Sequence, residues 1–542
     1  MIAQRTHLIA FAAGVCTHLF YFKRGEHHRN GSKYVKVAFY ASVLLPATQT
    51  IALSVSLMSA LRSSAAIFGY SLLGLYSSLL FYRLLAHPLN KFPGPIAARI
   101  GDLWLTAQLG KSDMHKTSVN LYNEYGPYVR VGSSYLMIVH PLAVSAVHGP
   151  QSKCRKADLY DFEQPNRGIA TRDKELHHGR RRVWSRGFGD KALRGYESRV
   201  AVYVQLLLDR LYSSAEGAVD TTKLMEFFAF DTMGDLGLGK SFGMLENDSH
   251  HSAIKHLVDS LEMMGVRLPM WLIRLLVDSP LAPTETDKFL DFCYKQLAIL
   301  MNDEKRLIRP SIMAPLLAHY ESLSPEKQDI SVIRNDVRFI IIAGSDTVAA
   351  TLAFIFYYLA RYPQHIEKLR KELLPVRSTN GYYEHDKIQN AEHLNAVINE
   401  ALRLHPPAST IPRVTPPEGI MVEDTFIPGK MTVFTSQYAI GRCETVYRMA
   451  NEFVPERWSS RPELIIERAG YAPFSTGSHS CIGRPLALME MRLAIAECIS
   501  RFDIKFAEGF GPDKFIDDVK DCMSWHMGAL NLCYSPWSQS SV

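Results

Sequence analysis

The sequence predicts a mainly α-helical body with a small β part, preceded by N-terminal apolar helices of transmembrane length. Three observations carry this expectation. Apolar runs crowd the first ninety residues, and helical periodicity broken by Pro/Gly joints dominates from residue 96 onward. The few β-rich stretches are short and do not alternate with helices as a βαβ fold requires.

The apolar runs fall at 7–22, 37–60 and 65–82. A bilayer takes about 20 apolar residues, so the second and third runs suffice and the first is marginal. A cleaved signal peptide would account for one run, not three. Lys23, Arg24, Arg29, Lys33 and Lys36 separate runs one and two, and Arg83, His87 and Lys91 follow run three. Three crossings put both basic stretches on one side, which the positive-inside rule makes cytosolic. A single span with an interfacial remainder leaves the body on that same side. The reading is a lipid-embedded anchor at 1–90 and a cytosolic body at 91–542. Residues 87–95 hold three prolines and a glycine, which stop a helix and predict a stiff, extended hinge.

In the body, strands are expected at 128–131 and 135–139, and helices at 196–212, 224–236, 254–264, 286–301 and 391–404. The run 339–359 is apolar enough for a fourth span, but Asp346 near its centre would be costly in lipid. A helix buried inside a large domain fits it better. Lys plus Arg total 60 against 54 Asp plus Glu, and this mild excess is not a nucleic-acid footprint. Eight cysteines without a C-x-x-C pair exclude a disulfide scaffold or zinc ribbon and point to a reducing compartment.

The chemistry concentrates at Phe474-Ser-Thr-Gly477-Ser-His479-Ser-Cys481-Ile-Gly483-Arg484-Pro485. Pro485 suits the first turn of a helix whose apolar face is Leu486, Met489, Leu493 and Ala496. Cys481 therefore sits just ahead of a helix N-terminus, where the dipole and free amides favour thiolate. Such a sulfur is a nucleophile, a metal ligand or an inert buried cysteine. The glycines let the backbone lie close to a flat group. The spacing F-x-x-G-x-x-x-C-x-G resembles the heme-binding loop of the cytochrome P-450 family. That resemblance implies the cytochrome P-450 fold and heme b (iron protoporphyrin IX), with the Cys481 thiolate as axial iron ligand. It also makes Phe474, Gly477 and Gly483 part of the cofactor loop. Where the family usually carries arginine, here His479 stands as the propionate partner.

Further motifs follow the family's order. Glu400-Ala-Leu-Arg403 matches its E-x-x-R, and i,i+3 neighbours share a helix face. Pro455-Glu-Arg457-Trp458 resembles the segment whose arginine joins that pair in a buried structural network. Ala343-Gly344-Ser345-Asp346-Thr347 resembles the oxygen-activation motif of the central helix, which implies Thr347 and Asp346 as the proton-relay pair; alternatively, Thr347 back-bonds to a helix carbonyl. His177-His-Gly-Arg180-Arg181-Arg182 resembles a propionate-binding helix. Its Gly-Phe end selects Arg181 and His177, and a slip of one selects Arg182 and His178. Arg413 matches a strand arginine that reaches a propionate.

The resemblance spans about residue 91 to the C-terminus, and Phe230 to Phe242 looks like fungal membrane-bound members. It implies a monooxygenase on the endoplasmic reticulum membrane that uses O2 and electrons from a separate NADPH-cytochrome P-450 reductase. The implied substrate is a hydrophobic small molecule such as a terpenoid or alkaloid of secondary metabolism. Implied pocket walls are 342–347, 408–411 and 525–527. Two rivals stand: a reductase-independent isomerase or dehydratase of the same fold, and a non-catalytic membrane-tethered heme protein.

Overall fold

The structure is a computed structural model that describes residues 2–161, 168–214, 217–252, 254–255, 270–277, 284–303 and 311–537. It opens with helices α1 (Ile2–Thr17), α2 (Gly31–Leu53) and α3 (Leu57–Phe81). The break between the last two falls at 54–56, ahead of the expected gap at 61–64. Ser54 turns left-handed at φ 54°, and the Ser56 hydroxyl accepts from the Ser59 amide at 3.4 Å. A capping serine thus starts α3 inside what composition reads as one apolar run.

Helices α1 and α3 run parallel. His7 stacks on Tyr70, Phe11 meets Gly74, Gly14 meets Ser71, and His18 shares a hydrogen bond with Ser78. A Cβ on Gly14 would stand 1.9 Å from the Ser71 carbonyl oxygen, and one on Gly74 2.0 Å from that of Phe11. Small residues let two backbones touch where lipid offers no hydrophobic drive. Parallel α1 and α3 leave α2 as the returning helix. By length and composition, His28–Leu53 and Leu57–Lys91 are long and apolar enough to cross a membrane.

The Pro-rich joint is packed rather than free. Residues Pro88–Lys91 form a 3-10 turn, Leu89 and Phe92 are buried, and the Arg130 amide donates to the Pro93 carbonyl at 2.8 Å. The buried Arg130 side chain donates to Asn90 at 2.5 Å and to the Arg83 carbonyl at 3.1 Å. The expected stiff joint is thus pinned by an arginine of the first strand, whose amide holds the Pro93 carbonyl and whose side chain holds Asn90.

That strand opens a five-stranded sheet: β1 (Tyr128–Arg130), β2 (Tyr135–Ile138), β3 (Arg155–Lys156), β4 (Arg413–Val414) and β5 (Thr432–Thr435). Their spatial order is β1-β2-β5-β4-β3, with only β2–β5 parallel. Residues 131 and 139 of the expected strands fall just outside β1 and β2. The expected helices at 196–212, 224–236, 286–301 and 391–404 correspond to Asp190–Ser213, Thr221–Leu238, Thr284–Asn302 and Glu392–Leu404. The one expected at 254–264 lies outside the described residues beyond 255.

Four of the body helices position the site. They are α4 (Lys174–Trp184), α5 (Thr221–Leu238), α6 (Ile330–Arg361) and α7 (Glu392–Leu404). The apolar window of α6 is 67% buried inside the protein, which makes it a core helix rather than a fourth span. It packs along α5 so closely that a Cβ on Gly344 would meet Met233 at 2.5 Å.

Behind α6, Glu400 on α7 is fully buried with two arginines. Arg403 donates to its two oxygens at 2.9 and 2.7 Å, and Arg457 donates at 2.9 Å. Trp458 Nε1 and the Val454 amide add donors at 2.8 Å each. The arginines spend their remaining N–H groups on carbonyls of 441, 448, 449, 450 and 452. One carboxylate thus organises two guanidiniums and a whole loop. Replacing Glu400 by alanine strands two buried cations and is expected to lower stability by about 3–5 kcal/mol. A fall in the thermal midpoint, larger than that of an exposed Glu392→Ala control, checks it.

Candidate functional site

The loop 474–483 is closed by the Cys481 amide, which donates to the Phe474 carbonyl at 2.7 Å. Gly477 sits at φ +68°, and a Cβ there would meet the His148 carbonyl oxygen at 2.5 Å, so no other residue fits. Gly483 has ordinary backbone geometry (φ −80°), so its value is space: a Cβ would point at the sulfur from 4.0 Å. The helix Arg484–Ile499 (α8) begins there with Pro485 in its first turn.

Cys481 lies just before that helix and keeps an accessible face. Burial dominates its electrostatics and leaves the thiol above its usual range. The Gly483 and Arg484 amides bond to the sulfur and, with the Arg181 and Arg484 charges, pull the other way without winning. The expectation that the helix N-terminus favours thiolate is met by these two amide bonds, which work against the rise that burial imposes.

Beside this loop, α4 turns Arg181 inward, where it donates to the Ser480 carbonyl at 2.7 Å and the Ser480 hydroxyl at 3.0 Å. Arg182 is exposed and His178 half-buried, while His177 is buried and shares a 3.2 Å hydrogen bond with His479. Of the two registers weighed above, it is His177 and Arg181 that face the cysteine loop. Arg180 goes elsewhere, into a buried ion pair with Asp336 of α6. Arg413 is buried on β4 and donates to the Tyr160 hydroxyl at 3.3 Å.

A further cation joins them. Lys156 on β3 is buried, and its ammonium donates to the carbonyls of Ile169 and Thr171 at 2.9 and 3.0 Å. No motif announces it, because a lone lysine in a two-residue strand has no spacing to read. Burial, then the Arg413 and Arg181 charges, bring its pKa down to about 7. Burial and the same neighbours hold His177 down to about 3 and His479 to about 2. Among the described residues, none of Lys156, His177, Arg181, Arg413 and His479 pairs with a carboxylate. Lys156, Arg181 and Arg413 thus stand close together without a carboxylate partner among the described residues, with neutral His177 and His479 beside them as hydrogen-bonding groups, an arrangement suited to an anion.

On α6, the Thr347 hydroxyl donates to the Ala343 carbonyl at 2.9 Å, the back-bonded alternative noted above. Its oxygen keeps lone pairs for an incoming donor. Asp346 is raised by burial, with Ser524 and His526 drawing it down. This brings it to the 525–527 stretch expected as pocket wall. Glu226 on α5, which no motif marks, is pushed up to about 8 by burial and by the Asp346 and Asp220 charges.

The heme implied above fits these residues. Its iron would supply the cation the sulfur lacks, and its two propionates the anions that the five-residue basic group lacks. Ile342, Phe474, Ile482 and Met527 pack against the core yet remain only partly buried, as walls of an apolar ligand do.

Comparison with known proteins agrees. The profile of the cytochrome P450 family matches residues 93–521. The chain is 62% identical over 469 residues to cytochrome P450 monooxygenase sthD of Phaeosphaeria nodorum, covering 86% of this chain and 99% of that protein. It is 42% identical to cytochrome P450 monooxygenase notG' of Aspergillus versicolor, covering 96% and 95% of the two chains. Identity to the tryprostatin B 6-hydroxylase of Aspergillus fumigatus is 41%, with 93% and 91% covered.

The two registers of α4 separate by mutation. Arg181→Leu is expected to lower the heme-to-protein absorbance ratio of the purified protein severalfold. Arg182→Leu, on the exposed face, leaves that ratio unchanged.

Proposed function

The chain belongs to the cytochrome P450 family, and from that premise we propose a heme-thiolate monooxygenase inserting one oxygen of O2 into a hydrophobic small molecule of fungal secondary metabolism. As the family implies, it is an oxidoreductase using heme iron, O2, a small-molecule substrate and a redox partner. The finer assignments are ours. Cys481 holds the iron of heme b, and Lys156, His177, Arg181, Arg413 and His479 hold its propionates. The observation that carries this is the gathering of Arg181 and His177 on the loop of Cys481, whose sulfur two backbone amides reach.

When bound, the heme supplies the oxidising chemistry, and the chain supplies position and protons. Gly344 lets this turn of α6 pack against Met233 of α5, and the Thr347 oxygen accepts a hydrogen bond from a water or from the reacting group. Asp346, whose carboxyl burial raises, carries protons toward that hydroxyl. Hydroxylation or epoxidation follows as the reaction class. An alkaloid or terpenoid fits the partly open apolar walls, and the tryprostatin B hydroxylase name supports the alkaloid side.

Residues 1–90 serve as the anchor in the endoplasmic reticulum membrane and 91–542 as the cytosolic heme domain. The parallel α1 and α3 support three crossings. Electrons come from NADPH-cytochrome P-450 reductase, whose acidic face is matched by exposed Arg182 and Arg186 at the end of α4. The Thr347–Ala343 hydrogen bond favours a second reading, a reductase-independent isomerase or dehydratase, in which that threonine is structural.

Co-expression with a reductase and feeding of candidate alkaloids and terpenoids, followed by product analysis, tests the proposal. Thr347→Ala is expected to lower product per NADPH consumed by about tenfold or more while peroxide release rises. Full coupling in that variant supports the isomerase reading, and absence of turnover with every candidate supports the non-catalytic heme protein.

A further inference from the structure

The loop between α1 and α2 touches the body through an ion-pair cluster that neither the anchor nor the heme site requires. Arg29 grips Asp161 with two hydrogen bonds, 3.0 Å from Nε and 2.6 Å from Nη2, and His28 Nε2 lies 2.7 Å from the same carboxylate. Glu26 accepts from both terminal nitrogens of Arg172 at 2.8 Å each and from Arg155 at 2.7 Å. Arg172 closes the cluster by also bonding Asp161. Only 2% of Asp161 is exposed, and its carboxyl is held well below the usual range: burial raises it, but His28, Arg29 and Arg172 overcome that. The buried Asp161 at its centre and the bidentate Arg29 and Arg172 pairs separate this cluster from ordinary surface ion pairs, although Arg29, Arg155 and Glu26 keep exposed faces.

Glu26, His28 and Asp161 place three ligand-type atoms within 4.8 Å of one another. Three guanidiniums already occupy both carboxylates, so the arrangement joins chain to chain rather than chain to metal. The helix Met270–Val277 packs on the same loop and on α2, with the Trp271 carbonyl oxygen 3.1 Å from where a Gly31 Cβ would stand.

The cluster also leads inward. Arg172 Nε donates to the Lys156 carbonyl at 3.0 Å, and the Lys156 ammonium ties the carbonyls of 169 and 171. Asp173 then caps α4, accepting from the Leu176 amide at 2.8 Å, one turn before His177. The chain of contacts thus runs from anchor loop to Arg172, to Lys156, and to the basic group.

We propose that the α1–α2 loop is a docking element, and that its partner surface is Arg155, Asp161 and Arg172 on this chain's own body. By gripping that surface it fixes the stretch 168–173 and the start of α4, so the anchor braces the wall beside the heme as well as tethering the body. The proposal rests on the heme reading only for its second readout.

The test uses the full-length protein in detergent or lipid nanodiscs. Glu26 and Arg29 lie outside the body, so Glu26→Ala/Arg29→Ala leaves its core intact. Hydrogen exchange of amides at 168–181 is expected to quicken about tenfold in that variant, and heme transfer to excess apomyoglobin severalfold. Unchanged exchange at 168–181 overturns the proposal, whatever the heme does. Should the double variant not accumulate, a cycle of Glu26→Ala and the exposed Arg155→Ala decides. Non-additive effects on exchange support docking, and additive effects overturn it.

Discussion

An accessible cysteine sulfur at a helix N-terminus, with Lys156, Arg181 and Arg413 gathered near its loop and no carboxylate paired to them among the described residues, is the constraint on which this structure turns. Two backbone amides reach the Cys481 sulfur and oppose the upward pull of burial on its pKa. Lys156, Arg181, Arg413 and the paired histidines stand close enough to lower one another's pKa. Each half is unfavourable in the protein alone, and one dianionic ligand carrying a metal cation relieves both. Binding and folding are then coupled, since a ligand that binds only the native state stabilises it by mass action.

The rest of the body serves that pocket. Helix α6 brings Ala343 to Thr347 into the core, and its tight packing on α5 depends on Gly344. The Glu400 network pins the loop from 441 to 458, which precedes the cysteine loop in the chain. Lys156 and Arg413 come from adjacent strands β3 and β4, paired Lys156 to Arg413 in register. Residues more than two hundred positions apart thus meet as neighbours across a ladder.

What the sequence disclosed follows the range of the interaction. Periodicity located the helices around 196–212 and 391–404 because amphipathic spacing is local, and Asp346 told a core helix from a membrane span. The family resemblance nominated His177, Arg181, Arg413, His479 and Cys481, and the fold gathers them. Lys156 and Glu226 escaped notice because their roles come from neighbours far along the chain. The stiffness of the joint at 87–95 was legible in its prolines, but not that Arg130, forty residues on, pins it. The start of α3 was misplaced because a serine cap outweighs the hydropathy of the residues that follow it. The amides that favour thiolate at Cys481 were legible in the motif, whereas the opposing desolvation is a property of the whole fold.

The central claim is the bond from the Cys481 sulfur to a heme iron, and the carbon monoxide difference spectrum of the reduced protein tests it most directly. The account predicts the red-shifted Soret band of thiolate-ligated heme, lost in Cys481→Ala and unchanged in Cys498→Ala, whose sulfur is buried in the core. A wild-type spectrum without that band, or a Cys481→Ala spectrum that keeps it, would contradict the account.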